Sequence, residues 1–166
     1  ERNRLFKLKR STWKDYQGIS KGGGVFDRSA KEIKCSREIK DLLNISDTVI
    51  SGESLIKAIL QSSIDLMWFG GIGTYIKASH ETNVDVGDNA NNLVRINAKD
   101  CKAKIITEGA NLGITALGRI EYHLNEGRLN TDAIDNSAGV NMSDYEVNLK
   151  ILCKLLRDKK IIPSEK

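Results

Sequence analysis

The sequence is poor in aromatic residues and proline, and both shortages limit what the chain can form. Aromatic side chains make up 5% of the 166 residues although hydrophobic residues reach 40%, so we expect a mainly aliphatic core in one ordinary domain. The one proline is Pro163, so no stiff proline-rich linker divides the chain. No apolar run approaches the roughly 20 residues that span a bilayer, so we expect no membrane partner.

Cysteine is also scarce. Cys35, Cys101 and Cys153 are odd in number and far apart, and they match no metal-ligand spacing. We therefore expect no metal site. No charged and then apolar leader follows Glu1, and separated free cysteines are typical of a reduced compartment. These features predict a cytoplasmic protein.

Charge is distributed unevenly, although the formal net charge is only +4. Residues 1–40 carry 12 basic and 5 acidic side chains, whereas residues 41–150 carry 9 basic and 15 acidic ones. A basic opening is compatible with nucleic-acid binding. Because no zinc-finger, RNP or basic-zipper spacing accompanies it, we predict a solvated basic face and no nucleic-acid partner.

The hydrophobic pattern predicts helices that alternate with buried strands. Ser36 and Ser51 are suited to cap two early helices, and residues 115–124 predict another. The first of these helices should bury Ile39, Leu42 and Leu43. Residues 1–24 are polar and glycine-rich, so we expect irregular structure there.

Short apolar runs at residues 64–69 and 104–107 predict buried strands, and we predict a third strand near residues 133–134. Strands alternating with helices indicate an α/β fold with a mostly parallel sheet and flanking helices. A last helix is predicted to begin at Ser143, which would form a capping box with Glu146. Its apolar stripe would be Val147, Ile151, Leu152, Leu155 and Leu156.

Each predicted strand ends in a small, polar or glycine-rich segment: residues 70–73, 108–111 and 135–140. Ligands bind outside the carboxyl ends of parallel strands, where exposed amides can hold phosphate or carboxylate groups. The dinucleotide fingerprint G-x-G-x-x-G is absent, so spacing alone does not establish a nucleotide site. A plain turn remains an alternative for each segment.

Five stretches carry more specific motifs: residues 19–26, 70–75, 108–115, 118–122 and 135–140. In this order they resemble the large NAD-specific glutamate dehydrogenases of bacteria, from Glu1 to about Leu152. The resemblance implies a partial Rossmann-like domain. The residues that it implies for binding NAD are Gly70, Gly71, Gly73, Thr74 and Asn111. Those that it implies for binding the substrate are Gly139, Val140 and Ser143.

The resemblance also implies a reaction, the oxidative deamination of L-glutamate to 2-oxoglutarate and ammonia. It places the catalytic lysine and aspartate in a preceding part of the enzyme, so we expect no catalytic residue here and an inactive isolated chain. Residues 1–150 would be the C-terminal portion of the NAD-binding domain, and residues 151–166 the start of a helical segment. The full protein is expected to be a homo-oligomer.

Alternatives to this interpretation of the sequence stay open. One is another amino-acid dehydrogenase with the same architecture. Another is a non-enzymatic gene remnant or a subunit that depends on a partner, and departures from the family pattern at Phe69, Asn92, Ala116 and Tyr145 fit that case. For single residues, Asn111 can hold a turn and Ser143 can be only a helix cap.

Overall fold

Short strands alternate with helices through residues 1–163, the part of the chain that this computed structural model describes. The strands are β1 (Ile33–Lys34), β2 (Val49–Ile50), β3 (Leu66–Phe69), β4 (Ile76–Lys77), β5 (Ile96–Asn97), β6 (Ile105–Glu108) and β7 (Arg128–Leu129). The α-helices are α1 (Arg2–Lys7), α2 (Arg37–Leu43), α3 (Gly52–Leu60), α4 (Asn83–Val86), α5 (Ala116–Leu124), α6 (Asp132–Asp135) and α7 (Ser137–Asp158). Three 3-10 turns are Trp13–Asp15, Asn89–Asn91 and Ala98–Asp100.

The central sheet is parallel, with β6 between β3 and β7. Phe69 at the end of β3 pairs with Glu108 at the end of β6, and Ile106 pairs with Leu129. Strands β4 and β5 form a second parallel pair, whereas β1 and β2 are antiparallel. The predicted α/β class with mostly parallel pairing is confirmed, as are the strands predicted at residues 64–69 and 104–107.

The two faces of the central sheet differ. On one face Met67, Phe69 and Ile106 are buried, and they join the core of the domain. On the other face Leu66, Trp68 and Ile105 are exposed by 56%, 64% and 43%. This alternation follows from the two-residue repeat of a strand, and it leaves an open apolar face. The buried cluster is mainly aliphatic, as expected: Leu60, Met67, Phe69, Ile76, Ile96, Ala98, Ala103, Ile106, Ile114 and Tyr122.

Two helices start at the predicted capping residues, and the helix predicted at residues 115–124 forms as α5. Ser36 Oγ accepts a hydrogen bond from the Ile39 amide at 3.1 Å, and Ser51 Oγ accepts one from the Ser54 amide at 3.1 Å. Thr115 Oγ1 caps α5 by accepting from the Gly118 amide at 2.9 Å. The predicted burial of α2 was wrong: Leu42 is 74% exposed, and Ile39 and Leu43 are only half-buried. No second layer covers that side of the helix in the described chain.

The third predicted strand was wrong. Residues 133–134 lie in α6, and the third strand of the sheet is β7. The amides of Ile134 and Asp135 both donate to the carbonyl of Thr131, at 3.0 and 3.1 Å, so local helical hydrogen bonds form there. Two apolar residues are too few to impose a strand repeat against such bonds.

The ends of the chain also differ from expectation. Residues 1–24 contain α1 and the turn Trp13–Asp15, which Thr12 and Asp15 close with a capping box. At the other end α7 begins at Ser137 and runs through the boundary proposed at residue 150; residues 164–166 lie outside the described residues. The predicted apolar stripe of this helix is largely exposed. None of the helices within residues 1–163 has the length and apolar character to cross a membrane.

Candidate functional site

Two loops leave the same edge of the central sheet, because β3 and β6 are parallel neighbours. We call them the 70–74 loop, which follows β3, and the 108–113 loop, which begins at the last residue of β6. The Gly109 amide donates to the Phe69 carbonyl at 2.7 Å. The amides of Tyr75 and Ile76 donate to the Gly113 carbonyl at 2.9 and 3.2 Å. The two predicted loops are therefore joined to each other through their backbones.

Glycine is required at one position of the 70–74 loop. Gly73 has φ of +138°, and a Cβ there would lie 2.7 Å from Asn91 Nδ2, so a side chain would strain the backbone and displace its neighbour. A Cβ on Gly71 would meet no atom of the described chain within 4 Å. Gly70 and Gly71 are exposed, whereas Thr74 is buried. The tip of the loop is thus open to a ligand and its base is packed.

Trp68 lies across the junction of the two loops. A Cβ on Gly70 would be 2.5 Å from the indole, and a Cβ on Gly109 would collide with it directly. The indole therefore needs glycine in both loops. Beside it, Trp68, Gly70 and Gly71 line an apolar groove of about 260 Å³, together with Ile56, Ile59, Leu60, Phe69 and Tyr75.

The base of the 70–74 loop is held by Asp88 and Arg95. The Thr74 amide donates to Asp88 Oδ2 at 2.8 Å, and the Thr74 carbonyl accepts from Arg95 Nε at 2.9 Å. Both backbone groups of Thr74 are therefore occupied. Hydrogen bonds from the Asn91 side chain and the Thr74 amide hold the pKa of Asp88 below its ordinary value, because they stabilise the ionised carboxylate.

The Arg95 side chain has no exposed surface. Its Nη1 donates to Asn83 Oδ1 at 2.8 Å and to Asn92 Oδ1 at 2.7 Å, and its Nη2 donates to the Asp88 carbonyl at 2.6 Å. The Asp88 carboxylate is 3.7 Å from Nη2. The N–H groups of this buried guanidinium therefore donate mainly to neutral oxygens. A buried charged group requires such hydrogen-bond partners.

A buried carboxylate holds the 108–113 loop. Glu108 is 1% exposed, because the strand repeat places it on the covered face with Ile106. Its Oε1 accepts from the Gly113 amide at 2.6 Å, and its Oε2 forms an ion pair with Arg119 Nη2. Burial raises the pKa of Glu108, and the hydrogen bond and charge of Arg119 oppose that rise.

Arg119 extends this arrangement along α5. Its Nη1 donates to the Asn130 carbonyl at 2.8 Å, and Asp132 Oδ1 lies 3.7 Å from its Nη2. The second oxygen of Asp132 accepts from the Leu112 amide at 2.9 Å, where Leu112 has φ of +63°. The network therefore reaches the 108–113 loop at Glu108, Leu112 and Gly113.

Asn111 lies between these fixed points. Its Oδ1 accepts from Asn136 Nδ2 at 2.9 Å, and Asn136 directly precedes α7. Asn111 and Val140 line one cleft of about 350 Å³, together with Asp132, Ala133, Ser137, Asn141 and Asp144. The structure thus brings Asn111 and Val140 together, whereas Gly139 and Ser143 lie outside that lining. The segment of residues 135–140 reaches the site from a helix start and not, as predicted, from the end of a strand.

The predicted capping role of Ser143 was wrong. Ser143 lies in the second turn of α7, where its Oγ donates to the Val140 carbonyl at 2.9 Å. Glu146 instead forms an ion pair with Lys150 at 2.5 Å. The helix starts earlier because α6 and the Val140 amide, which donates to the Asn136 carbonyl at 3.0 Å, already set the helical path before Ser143.

The sequence patterns did not identify the residues that hold the loops, which are Asp88, Arg95, Glu108, Arg119 and Asn136. For Glu108 a signal was present, because a two-residue repeat through Ile106 places it on the covered face. Among residues 1–163 no three histidine, cysteine or acidic side chains come together in a way that could hold a metal ion.

Paired loops at the carboxyl edge of adjoining parallel strands place this chain among the α/β proteins, in which ligand sites lie outside the strand ends as a rule. The particular family is clear from sequence comparison: the chain belongs to the family described as bacterial NAD-glutamate dehydrogenase, catalytic domain, whose model matches residues 1–166.

Similar proteins include the NAD-specific glutamate dehydrogenase of Mycobacterium tuberculosis, which is 54% identical over 160 residues. Those of Pseudomonas aeruginosa and Halomonas elongata are 51% and 49% identical, each over 154 residues. Each comparison covers 92% of this chain but 10% of the relative. The chain therefore spans about a tenth of the length of these relatives.

Proposed function

We propose that this chain is part of an NAD-dependent glutamate dehydrogenase, which converts L-glutamate to 2-oxoglutarate and ammonia. Its contribution is the pair of loops that receives the cofactor. The observation that carries the proposal is the backbone junction at Gly113, whose carbonyl accepts from Tyr75 and Ile76. This junction joins two loops that open at one strand edge, in a member of that family.

The open tip of the 70–74 loop supports cofactor binding. The space beside Gly71 lets a ligand approach the backbone closely, which is the usual reason for glycine in such turns. Because Asn136 occupies Asn111 Oδ1, the amide nitrogen of Asn111 can donate to a ligand oxygen. The residues that would hold NAD are Gly70, Gly71, Gly73, Thr74 and Asn111. Thr74 would act through its hydroxyl, since its backbone groups are occupied.

The division of chemistry follows from what the chain contains. When bound, NAD supplies the hydride acceptor, and the role of these loops is to hold and orient it. The substrate residues in this proposal are Gly139, Val140 and Ser143. Asp132 and Asp144 line the cleft beside Val140, so a glutamate carboxylate there needs a cation to offset their charge. We assign that cation, and the catalytic lysine and aspartate, to the part of the protein outside this chain.

The open side of the central sheet supports a Rossmann-like domain continued by other parts of the protein. Within residues 1–163, β3 has a hydrogen-bonded neighbour on one side only, and Leu66, Trp68 and Ile105 are uncovered. Residues 1–150 would form the C-terminal portion of the NAD-binding domain, and residues 151–166, into which α7 continues, would belong to the helical segment that follows it. We also propose a homo-oligomeric, cytoplasmic full protein.

The test is an assay of the full-length protein that contains this chain. It should reduce NAD when supplied with L-glutamate, and it should do so faster than with other amino acids. Asn111→Ala should raise the KM for NAD by roughly tenfold, which corresponds to one lost hydrogen bond. Asn125→Ala, an exposed asparagine after α5, serves as the matched control.

Each competing interpretation has its own outcome. Faster oxidation of a different amino acid would favour another amino-acid dehydrogenase. No NADH from a folded full-length protein would favour the non-enzymatic remnant. Equal KM values for NAD in the Asn111 and Asn125 variants would remove Asn111 from the cofactor site.

A further inference from the structure

The Glu108–Arg119 ion pair lies next to the proposed cofactor site but is buried beneath it. Glu108 is 1% exposed, and the Arg119 side chain is 14% exposed. A buried ion pair is expensive to form, because both groups lose their hydration. Two hydrophobic side chains would fill the same space at the end of β6 without this loss of hydration. The hydrogen bonds of Glu108 and Arg119 indicate what the ion pair contributes instead.

Two carboxylates of this network accept hydrogen bonds from backbone amides of the 108–113 loop. Glu108 Oε1 binds the Gly113 amide at 2.6 Å, which closes the loop on itself. Arg119 binds the other oxygen of Glu108 and lies 3.7 Å from Asp132. Asp132 in turn binds the Leu112 amide at 2.9 Å. The two backbone amides that follow Asn111 are therefore both fixed by carboxylates, and Arg119 links those carboxylates.

The same network reaches the 70–74 loop through one carbonyl. Gly113, whose amide is bound by Glu108, accepts hydrogen bonds at its carbonyl from Tyr75 and Ile76. A shift of Gly113 would therefore move the residues directly after the 70–74 loop. One buried ion pair is thus connected to both loops of the site.

We propose that Glu108 and Arg119 are positioning residues that set the distance and orientation between Asn111 and the 70–74 loop. Resting on the proposed function, this means that they tune NAD affinity without touching NAD. Neither residue lines the cleft beside Asn111 or the groove beside Gly71. Their effect passes through the backbone of Leu112 and Gly113.

Three variants of the full-length protein test the proposal. Glu108→Gln keeps the shape and an acceptor for Gly113 but loses the charge, and Arg119→Met removes the cation. Arg119→Lys keeps the charge but loses the fork that links Glu108 to Asn130 and Asp132. The matched control is Glu121→Gln. Glu121 lies on α5, as Arg119 does, and like Glu108 it accepts from a backbone amide, that of Ser79 at 2.5 Å.

We expect Glu108→Gln and Arg119→Met to raise the KM for NAD by roughly tenfold, as loss of loop alignment does. In Glu108→Gln the KM for glutamate at saturating NAD should stay within about twofold of the wild type, because Arg119 still lies beside Asp132 in the cleft. Arg119→Lys should recover part of the NAD affinity, and Glu121→Gln should leave it unchanged.

Hydrogen–deuterium exchange supplies a readout independent of activity. Peptides covering residues 108–115 should exchange faster in Glu108→Gln and Arg119→Met than in the wild type or in Glu121→Gln, measured without NAD. Unchanged exchange there, or equal KM values for NAD in the Glu108 and Glu121 variants, would overturn the positioning role. A wild-type protein that does not reduce NAD with glutamate would overturn the proposed function instead, while faster exchange would still support loop positioning.

Discussion

Arg95 and Arg119 both lie beneath a strand-end loop, but they hold their loops in different ways. Arg95 donates to carbonyl and amide oxygens, and its nearest carboxylate is 3.7 Å away. Arg119 is in direct contact with the buried carboxylate of Glu108. The 70–74 loop is thus held mainly by neutral hydrogen bonds, whereas the 108–113 loop depends on a charge pair.

The two carboxylates respond to these surroundings in opposite directions. Asp88 accepts hydrogen bonds that lower its pKa, so its contribution to stability is complete above its ordinary pKa of 3.8 and is lost as the pH falls through the lowered value. Burial raises the pKa of Glu108, so its contribution is complete below its ordinary pKa of 4.5 and is lost as the pH rises through the raised value. Above pH 4.5 the 108–113 loop should therefore lose stability as the pH rises, whereas the contribution of Asp88 stays complete.

The largest expected effect is that of Arg95→Met. It would remove the four hydrogen bonds that Arg95 donates to neutral oxygens, among them the buried carbonyl of Thr74. Their loss together should lower the free energy of unfolding by about 3–5 kcal/mol. Urea unfolding of this chain, followed by circular dichroism, measures the loss. Arg128→Met at an exposed position of β7 is the control, and a similar small change in both variants would contradict the prediction.

Arg119→Met should have a smaller effect that depends on pH. We expect the free energy of unfolding to fall by about 2–3 kcal/mol at pH 8, because Glu108 stays buried without its cation. Losing Arg119 raises the pKa of Glu108 further, so the loss should shrink as the pH falls toward 5 and the carboxyl takes up a proton. The loss in Arg95→Met should stay constant over the same range. A constant loss in both variants would remove the distinction between the two networks.

The third prediction separates two glycines of the 70–74 loop. Gly73→Ala should lower the free energy of unfolding by about 1–3 kcal/mol, because its φ of +138° strains any side chain and Asn91 blocks the Cβ. Gly71→Ala should change it by less than about 1 kcal/mol, since its Cβ meets open space. The same urea titration measures both, and equal losses would count against the strain at Gly73.

The smallest effect is expected outside both networks, at Ser143. Ser143→Ala should change the free energy of unfolding by less than about 0.5 kcal/mol, because an exposed hydroxyl inside a helix contributes little. Ser36→Ala removes a real cap and should lower it by about 1 kcal/mol. A loss at Ser143 as large as that at Ser36 would show that its hydroxyl stabilises α7 after all.

The parts of the fold that were predictable depend on local patterns. Strands β3 and β6 follow from short apolar runs that end at glycine. Helices α2 and α3 follow from Ser caps, and α5 follows from the helical pattern of residues 115–124. The errors have local causes too. The spacing of Ser143 and Glu146 matches a capping box, but the same spacing occurs wherever both residues lie inside a helix. The helix start is decided by residues 132–136, which turn before α7 begins.

The candidate site also has a part that local patterns predict and a part that only the folded chain brings together. The positions of Gly73 and Asn111 beside the strand ends were predictable because both belong to short motifs next to a strand, and their role in binding NAD stays a prediction. The residues that hold them were not predictable, since Arg95 reaches back to Thr74, 21 positions earlier, and Arg28 reaches forward 63 positions to Asn91. Such pairs follow no helix or strand repeat, so only the folded chain brings them together.

The position of Trp68 across Gly70 and Gly109 makes it a natural optical probe of the junction between the two loops. The chain has two tryptophans, Trp13 and Trp68, so Trp13→Phe leaves a single indole emitter in this chain. Because that indole is 64% exposed and rests on both loops, its emission wavelength and its quenching by iodide should change whenever the gap between the loops opens or closes.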